Sequence, residues 1–322
     1  MDQKSHVDDF KCSLCGSSGL KQAFRKGVHE FYACPACRHV RVFPYPTDEE
    51  TEAHHARGFT PDYLSQNEAW FKVLAATRLG ILKNELEEGF VGSLLDAGSG
   101  FGFFLKEAKL AGWRVLGIES SPSEFDYSTQ ELCIDVLKEN LEEGLVSLPS
   151  ASFEVVTFWH VLEHLEQPGL VLREATRVLK KGGILALNSP NLDSAAFRLL
   201  GGRWSWVYVP GHLQYFRAKP FARWLETQGL TVDRLETWTH APNLYFMLEE
   251  AFLLTAARLM ERIPVIRKPS SGIKRFVYGS YHQQVVQARL RALYNLTPYL
   301  DRYLRSRFLG HEFLLLATKS RD

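Results

Sequence analysis

The chain is short of several things. No stretch keeps ~20 consecutive residues apolar without an interrupting charge, which excludes a helical membrane span, and no apolar leader precedes a small-residue cleavage site. No internal repeat and no low-complexity tract occurs, so a solenoid or a disordered linker protein is excluded. Cysteine is sparse, with five in 322 residues, four of them in two pairs near the start, too few for a disulfide-stapled secreted fold. Net charge is nearly absent at +1. From these absences a cytoplasmic location is expected. What is present is ordinary globular composition, 45% hydrophobic and 23% charged, in a length that suits one main domain and something smaller.

The small net charge hides a polarity. From Arg258 to Phe308 there are eleven Lys and Arg against two acids, a local +9 that leaves the remainder at −8. The fifth cysteine, Cys133, is expected inside a strand over Leu132 to Val136, as an inert buried thiol.

Residues 10 to 43 are short apolar segments broken by Cys, Gly and Pro, too little material to fold by burial alone. Pro44, Tyr45, Pro46 and the acid-rich Thr47 to Glu52 form a linker. Helical spacing of Trp70, Phe71, Leu74, Leu79, Leu82 and Leu86 predicts a helix over Asn67 to Glu87, stopped at Gly89. Beyond it, runs of Val, Ile and Leu alternate with helical segments up to a strand over Ile184 to Asn188. That alternation predicts an α/β doubly wound domain with a Rossmann-like parallel sheet. A helix over Pro220 to Gln228 and strands over Thr231 to Thr237 and Glu312 to Thr318 follow. The domain plan is then 1–46, 47–89 (linker and helix), 90–240 (core), 241–310 (a basic amphipathic helical insertion) and 311–322 (the last strand).

The most informative stretch is Asp96-Ala97-Gly98-Ser99-Gly100-Phe101-Gly102, a strand running into a glycine turn that opens a helix. Such a turn lets the backbone approach a nucleoside-bearing ligand at the carboxyl end of a sheet. Glu119 closes the second strand 21 residues after Gly98, where a carboxylate accepts hydrogen bonds from both ribose hydroxyls. A nicotinamide dinucleotide would use the same architecture, but its third glycine belongs at position 103, which is Phe103. Asp96 beside the turn also suits a ligand carrying an ammonium and a sulfonium better than one carrying phosphates.

In these residues, and in the stretches Phe153 to His164 and Leu179 to Asn191, the chain resembles the class I S-adenosylmethionine-dependent methyltransferases over about residues 70 to 240. The resemblance implies a seven-stranded sheet. It further implies that Asp96, Gly98, Gly100 and Gly102 floor the methionine side of the cofactor, that Glu119 holds the ribose, and that Asn140 and Leu141 flank the adenine. It makes Trp159, His160 and the Leu162-Glu163-His164 run the strand-four exit beside the cofactor. His160, Glu163 and His164 also admit a metal or acid–base reading, with 160 and 164 on one helical face; orientation of the exit is preferred.

Gly201 to Trp204 and Gly211-His212-Leu213-Gln214-Tyr215-Phe216 lie after strand five, where acceptors enter such folds. His212 is the candidate general base for deprotonating an acceptor. It aligns with a histidine of sugar C-methyltransferases, but the glutamate paired with that histidine is here Gly211. The alternative is that His212 hydrogen-bonds the start of the following helix.

Cys12-x-x-Cys15 and Cys34-x-x-Cys37, eighteen residues apart, have the spacing of a four-thiolate structural zinc ribbon. Redox-active pairs are the alternative. Ribbons of this kind accompany sugar C-methyltransferases, enzymes resembling those of polysaccharide pathways, and ribosomal RNA methyltransferases. Lys21, Arg25, Lys26, Arg38 and Arg41 make only a modest basic patch, so nucleic acid is not the expected partner. The expected acceptor is a small molecule, a glycan or a lipid- or nucleotide-linked sugar precursor. The basic insertion is read as an acceptor-side lid, with peripheral contact to anionic lipid at the inner membrane face. Ribosomal RNA methylation and a cofactor-binding partner subunit without activity are the competing readings.

Overall fold

Strands rich in Val, Leu and Ile, apolar on both faces, can bury themselves only between two layers of helix, and this chain does so. The computed structural model describes residues 10–47, 49–51, 61–239 and 301–320. Its main sheet has seven strands in the order β10-β11-β8-β7-β4-β5-β6. Among them β4 (Ser93–Ala97), β5 (Arg114–Ile118), β6 (Val136–Leu137), β7 (Phe153–Trp159) and β8 (Leu179–Pro190) pair in parallel. Leu94, Leu95, Val155, Val156 and Leu185 are fully buried at its centre. Strand order proceeds outward from β4 through β5 to β6, then returns to β7 on the other side. The crevice at the carboxyl ends of β4 and β7 is therefore the topological switch point, where ligands of such sheets sit. The sheet agrees with the expected fold class.

The helices include α1 (Pro61–Lys83), α2 (Phe103–Leu110), α3 (Pro122–Asp126), α4 (Leu141–Ser147) and α5 (Pro168–Val178). On α5, Val171, Leu172, Ala175 and Val178 are buried at helical spacing, and each larger side chain there contributes ~1.5–3 kcal/mol. Helix α1 ends at Lys83, earlier than Gly89. Past it the backbone tightens, with Glu85 N donating to Leu82 O and Phe90 N to Glu87 O, and Gly89 (φ 75°) serves this turn instead of the helix end.

The expectation for Cys133 fails. It is exposed, with φ 54°, and the strand is confined to Val136–Leu137. The preceding backbone is used elsewhere: a wide helical turn over Tyr127–Glu131 continues until Ile134 N bonds back to Ser128 O. The Lys106 and Lys109 ammonium groups take the carbonyls of Leu132 and Cys133. A peptide so satisfied has no reason to pair with the sheet.

A second, four-stranded sheet is built from β1 (Lys21–Lys26), β2 (His29–Ala33), β3 (Val40–Phe43) and β9 (Gln214–Tyr215), in that order. Three strands come from the cysteine-bearing segment. The fourth belongs to the loop after β8, with Val40 opposite Tyr215 and Arg41 opposite Gln214.

By compactness the chain divides into Met1–Pro190, Tyr208–Leu235 and Leu314–Asp322 as one unit, and Asn191–Val207 with Glu236–Phe313 as another. In the second unit α6 (Ala195–Leu200) is capped by Ser194 Oγ, which accepts from Phe197 N. Trp204 stacks on Trp206 and meets His311 edge-on, and the Asn191 amide donates to the carbonyls of Phe308 and Gly310. After α7 (Ala218–Glu226) come β10 (Leu230–Trp238) and β11 (Glu312–Lys319), neighbours in the main sheet. Most of the basic insertion expected over 241–310 lies outside the described residues. No helix among the described residues is long and apolar enough to cross a membrane.

Candidate active site

The turn after β4 is held by one carbonyl. Gly98 N and Ser99 N both donate to Ile118 O, at 2.9 and 3.0 Å, which ties the turn to the end of β5. Gly98 and Gly102 are required by space as well as by φ (77° and 78°). A Cβ on Gly98 would stand 2.7 Å from Val161 Cγ2, and one on Gly102 2.9 Å from Ser128 Cβ. Gly102 caps α2, whose first-turn N–H groups point along the turn.

Glu119 faces this turn. Its Oε2 accepts from Gly100 N and its Oε1 from Ser121 N, both at 2.8 Å, so the carboxylate is fixed while each oxygen keeps a further lone pair. Asp96, fully buried at the end of β4, accepts from Thr157 Oγ1 at 2.6 Å. Burial pushes its pKa up to about 7, against the pull of that hydrogen bond and of the Arg78 charge, so at neutral pH it is only partly ionised. Glu124 is likewise raised to about 7, first by burial and then by the charge of Glu119. The Arg78 guanidinium lies over the Trp159 ring at 5.2 Å, and Trp159 meets Phe104 edge-on. The expected Asn140 is the cap of α4, its Oδ1 accepting from Glu143 N at 2.8 Å, so its side-chain oxygen is already used; Leu141 beside it is buried.

At the exit of β7 the chain turns sharply. His160 adopts φ 58° and donates its N–H to Asn188 Oδ1 at 2.9 Å, and a single 3-10 turn covers Leu162–His164. The shared helical face expected for His160 and His164 is therefore not formed. The His160 ring instead meets Glu163, whose buried carboxylate lies 3.0 Å from His160 Nδ1, while the His164 ring bonds the Gly211 carbonyl through Nδ1. Desolvation alone would raise the Glu163 pKa; the hydrogen bond and charge of His160, with His164 and His212, bring it down to about 2. His212 sets its ring edge-on to His164, 5.0 Å between centroids. The loop is pinned there because Leu213 N donates to Glu163 O at 2.7 Å and Val42 N to Leu213 O at 3.0 Å.

A family model described as a methyltransferase domain matches residues 54–235, more than half of the chain. The chain belongs to this family. It is a class I S-adenosylmethionine-dependent methyltransferase. Among similar proteins, the ubiquinone biosynthesis O-methyltransferase of Xanthomonas axonopodis pv. citri is 26% identical over 181 residues, covering 51% of this chain and 75% of the relative. That of Dechloromonas aromatica is 25% identical over 160 residues, covering 46% and 68%. Two solved structures share the fold. Phosphoethanolamine N-methyltransferase 2 of Haemonchus contortus, in complex with S-adenosyl-L-methionine, has a TM-score of 0.52 at 16% identity, over 87% of this chain and 62% of that one. The complex of the Haloferax volcanii Trm112 methyltransferase activator with a putative methyltransferase has a TM-score of 0.51 at 14% identity, over 86% and 99%.

In this methyltransferase the four paired cysteines converge. Sγ atoms of Cys12 and Cys37, and of Cys15 and Cys34, lie 3.6 Å apart, and all four lie within 4.8 Å of one another. Thiolates around a tetrahedral ion with bonds of ~2.3 Å stand about 3.8 Å apart, whereas a disulfide would need ~2.05 Å. The residue after each knuckle takes positive φ, Gly16 at 75° and Arg38 at 61°. Two cations of the supposed ribbon patch are not free: Arg41 is buried between the rings of Phe10 and Tyr45, and Arg25 pairs with Glu30. Sequence reasoning missed Arg78, Glu124 and Gln214. None sits in a spaced motif: Arg78 and Gln214 are defined by partners distant in the chain, and Glu124 by its burial beside Glu119.

Proposed function

We propose that this methyltransferase seats its cofactor against Gly98, Gly100 and Gly102, with the ribose hydroxyls on Glu119 and the adenine beside Asn140 and Leu141. The methionine end lies toward Asp96, Trp159 and His160. The observation that carries this reading is the Glu119 carboxylate, clamped by Gly100 N and Ser121 N at the mouth of the glycine turn. A positively charged cofactor also favours the anionic form of Asp96, whose pKa burial raises to about 7.

The acceptor enters on the side of His212, which handles the acceptor's proton. An oxygen acceptor is supported by the relatives' description as O-methyltransferases and by a histidine cluster suited to a hydroxyl. The acceptor molecule we propose is a glycan or a lipid- or nucleotide-linked sugar precursor. A second reading, favoured by the curated relatives, is an acceptor belonging to ubiquinone biosynthesis. The basic insertion serves as the acceptor-side lid, resting on anionic lipid at the inner membrane face of the cytoplasm. The four thiolates hold a structural zinc whose binding stabilises a segment with little core of its own.

Transfer of a tritiated methyl group into cell extract, followed by fractionation, tests the assignment. Label in a lipid-soluble or nucleotide-linked glycan supports it. Label in the quinone fraction moves the enzyme to the second reading, label in ribosomal RNA overturns both, and no label supports a partner subunit without activity.

A further inference from the structure

Three side chains around the β7 exit supply more than a proton acceptor requires. Glu163, His164 and His212 each bring one ligating atom, and the three atoms lie within 4.8 Å of one another. We propose that they bind a divalent transition-metal cation of the zinc, manganese or iron(II) class, separate from the four-thiolate site, and that this cation receives the acceptor hydroxyl. The inference rests on the reading of this face as the acceptor side.

The donor set is that of an open site. Two imidazoles and a carboxylate leave a position for water or substrate, where four thiolates leave none. Nitrogen and oxygen donors select borderline divalent ions. His164 is pre-oriented: its Nδ1 lies 2.6 Å from Gly211 O, and a carbonyl can only accept, so Nδ1 carries the hydrogen and Nε2 presents its lone pair. Imidazoles that ligate metals are commonly held in this way, with the second ring nitrogen on a backbone carbonyl.

Glu163 is fixed as firmly. It is 1% exposed, its Oε1 is 3.0 Å from His160 Nδ1, and its Oε2 accepts from Ser189 Oγ at 2.9 Å. Each oxygen keeps a second lone pair. A carboxylate this buried stays ionised only beside positive charge, and a bound cation would add to what His160 supplies. The backbone hydrogen bond from Leu213 N to Glu163 O, at 2.7 Å, ties the two ligand-bearing segments together. Bonds of ~2.0–2.1 Å place ligand atoms about 3.3 Å from one another, so atoms already within 4.8 Å need to close by no more than about 1.5 Å.

With a cation present His212 is a ligand, and the proton leaves by a different route. Bound through its oxygen, the acceptor hydroxyl becomes acidic enough to lose its proton to water near neutral pH. The oxygen then forms a bond to the methyl carbon as the carbon–sulfur bond breaks, the sulfonium keeping the electron pair as a neutral thioether.

The test is cobalt(II) titration of the full-length protein with its four-thiolate site already filled by one equivalent of zinc. The expected result is one further equivalent of cobalt per chain, with weak ligand-field bands and no sulfur-to-cobalt charge-transfer band. Its affinity should fall at least about tenfold in both His164→Gln and His212→Gln, while calorimetry with S-adenosylmethionine shows unchanged binding and so intact folding. No second equivalent in the wild type, or one that persists in both variants, overturns the proposal. If the second equivalent is absent while labelled methyl transfer still depends on His212, the acceptor-side reading stands and the metal site alone falls.

Discussion

His39 and Gln214, 175 positions apart in the chain, are joined through Nε2 and Oε1 at 2.7 Å, both buried. Burial pushes the His39 pKa down, which keeps the ring neutral. Gln214 Oε1 also accepts from Ser13 Oγ at 2.9 Å, while its amide donates to Leu165 O and the Tyr45 hydroxyl at 2.7 and 3.0 Å. One side chain two residues from His212 thus stitches the cysteine-bearing segment, the His212 loop and the β7 exit together. The cysteine segment is accordingly a buttress for the His212 loop.

Gln214→Ala leaves the His39 donor and the Leu165 carbonyl buried without these partners, each worth ~1–3 kcal/mol. Urea unfolding should show a loss of about 2–4 kcal/mol. Methyl transfer should fall through kcat, with S-adenosylmethionine affinity unchanged, because the cofactor turn is tied to β5 and not to this loop.

Gly169 is a point of close approach. Its N donates to Ser13 O at 3.1 Å, and a Cβ there would stand well inside contact with Leu14 O. Gly169→Ala should lower stability by at least about 2 kcal/mol. Hydrogen exchange should quicken at Val42 and through β9 while the amides of β4 and β7 stay protected. Uniform exchange across both sheets would count against a separate buttress.

Removing the zinc proposed for the four thiolates should act on the same loop. A strong chelator with mild warming is expected to lower the melting temperature and release the β3–β9 pairing, and readdition of zinc should restore both. An unchanged melting curve after verified zinc loss would remove the structural role.

The pH dependence has a defined sign. Asp96 and Glu124 both have folded-state pKa values raised to about 7 by burial. Between the unfolded values, 3.8 and 4.5, and about 7 the folded state binds more protons. Their contribution therefore rises as pH falls through 7 toward 5, and is unfavourable at pH 8. Asp96→Asn should flatten the rise in melting temperature between pH 8 and 6, roughly halving it. A steeper rise would contradict the assignment.

Much of this was legible beforehand, and the reasons are local. The glycine turn, Glu119 and the two cysteine knuckles are short spacings between β-strand ends and turns, and short spacings survive in a linear reading. The doubly wound parallel sheet followed from strand and helix alternation, and its seven strands from the family resemblance; their order did not. Cys133 was misplaced because its apolar neighbours Leu132 and Ile134 suit a strand, while the deciding contacts, from Ser128 and the Lys106 and Lys109 side chains, are made by other segments. The union of β3 with β9 was illegible for the same reason: two strands of four and two residues, far apart in the chain, carry no pairing signal. Asp96 is expected beside the turn as a negative group, and the burial that raises its pKa to about 7 depends on packing that a linear reading does not carry.

Titration calorimetry of the zinc-loaded protein with S-adenosylmethionine and its demethylated product bears most directly on the cofactor seat. Wild type should bind both with one site per chain. Glu119→Ala should weaken binding about 10- to 100-fold, the scale of one charge-assisted hydrogen bond of ~1.5–3 kcal/mol. Absence of heat in the wild type, or equal affinity in Glu119→Ala, would contradict the account.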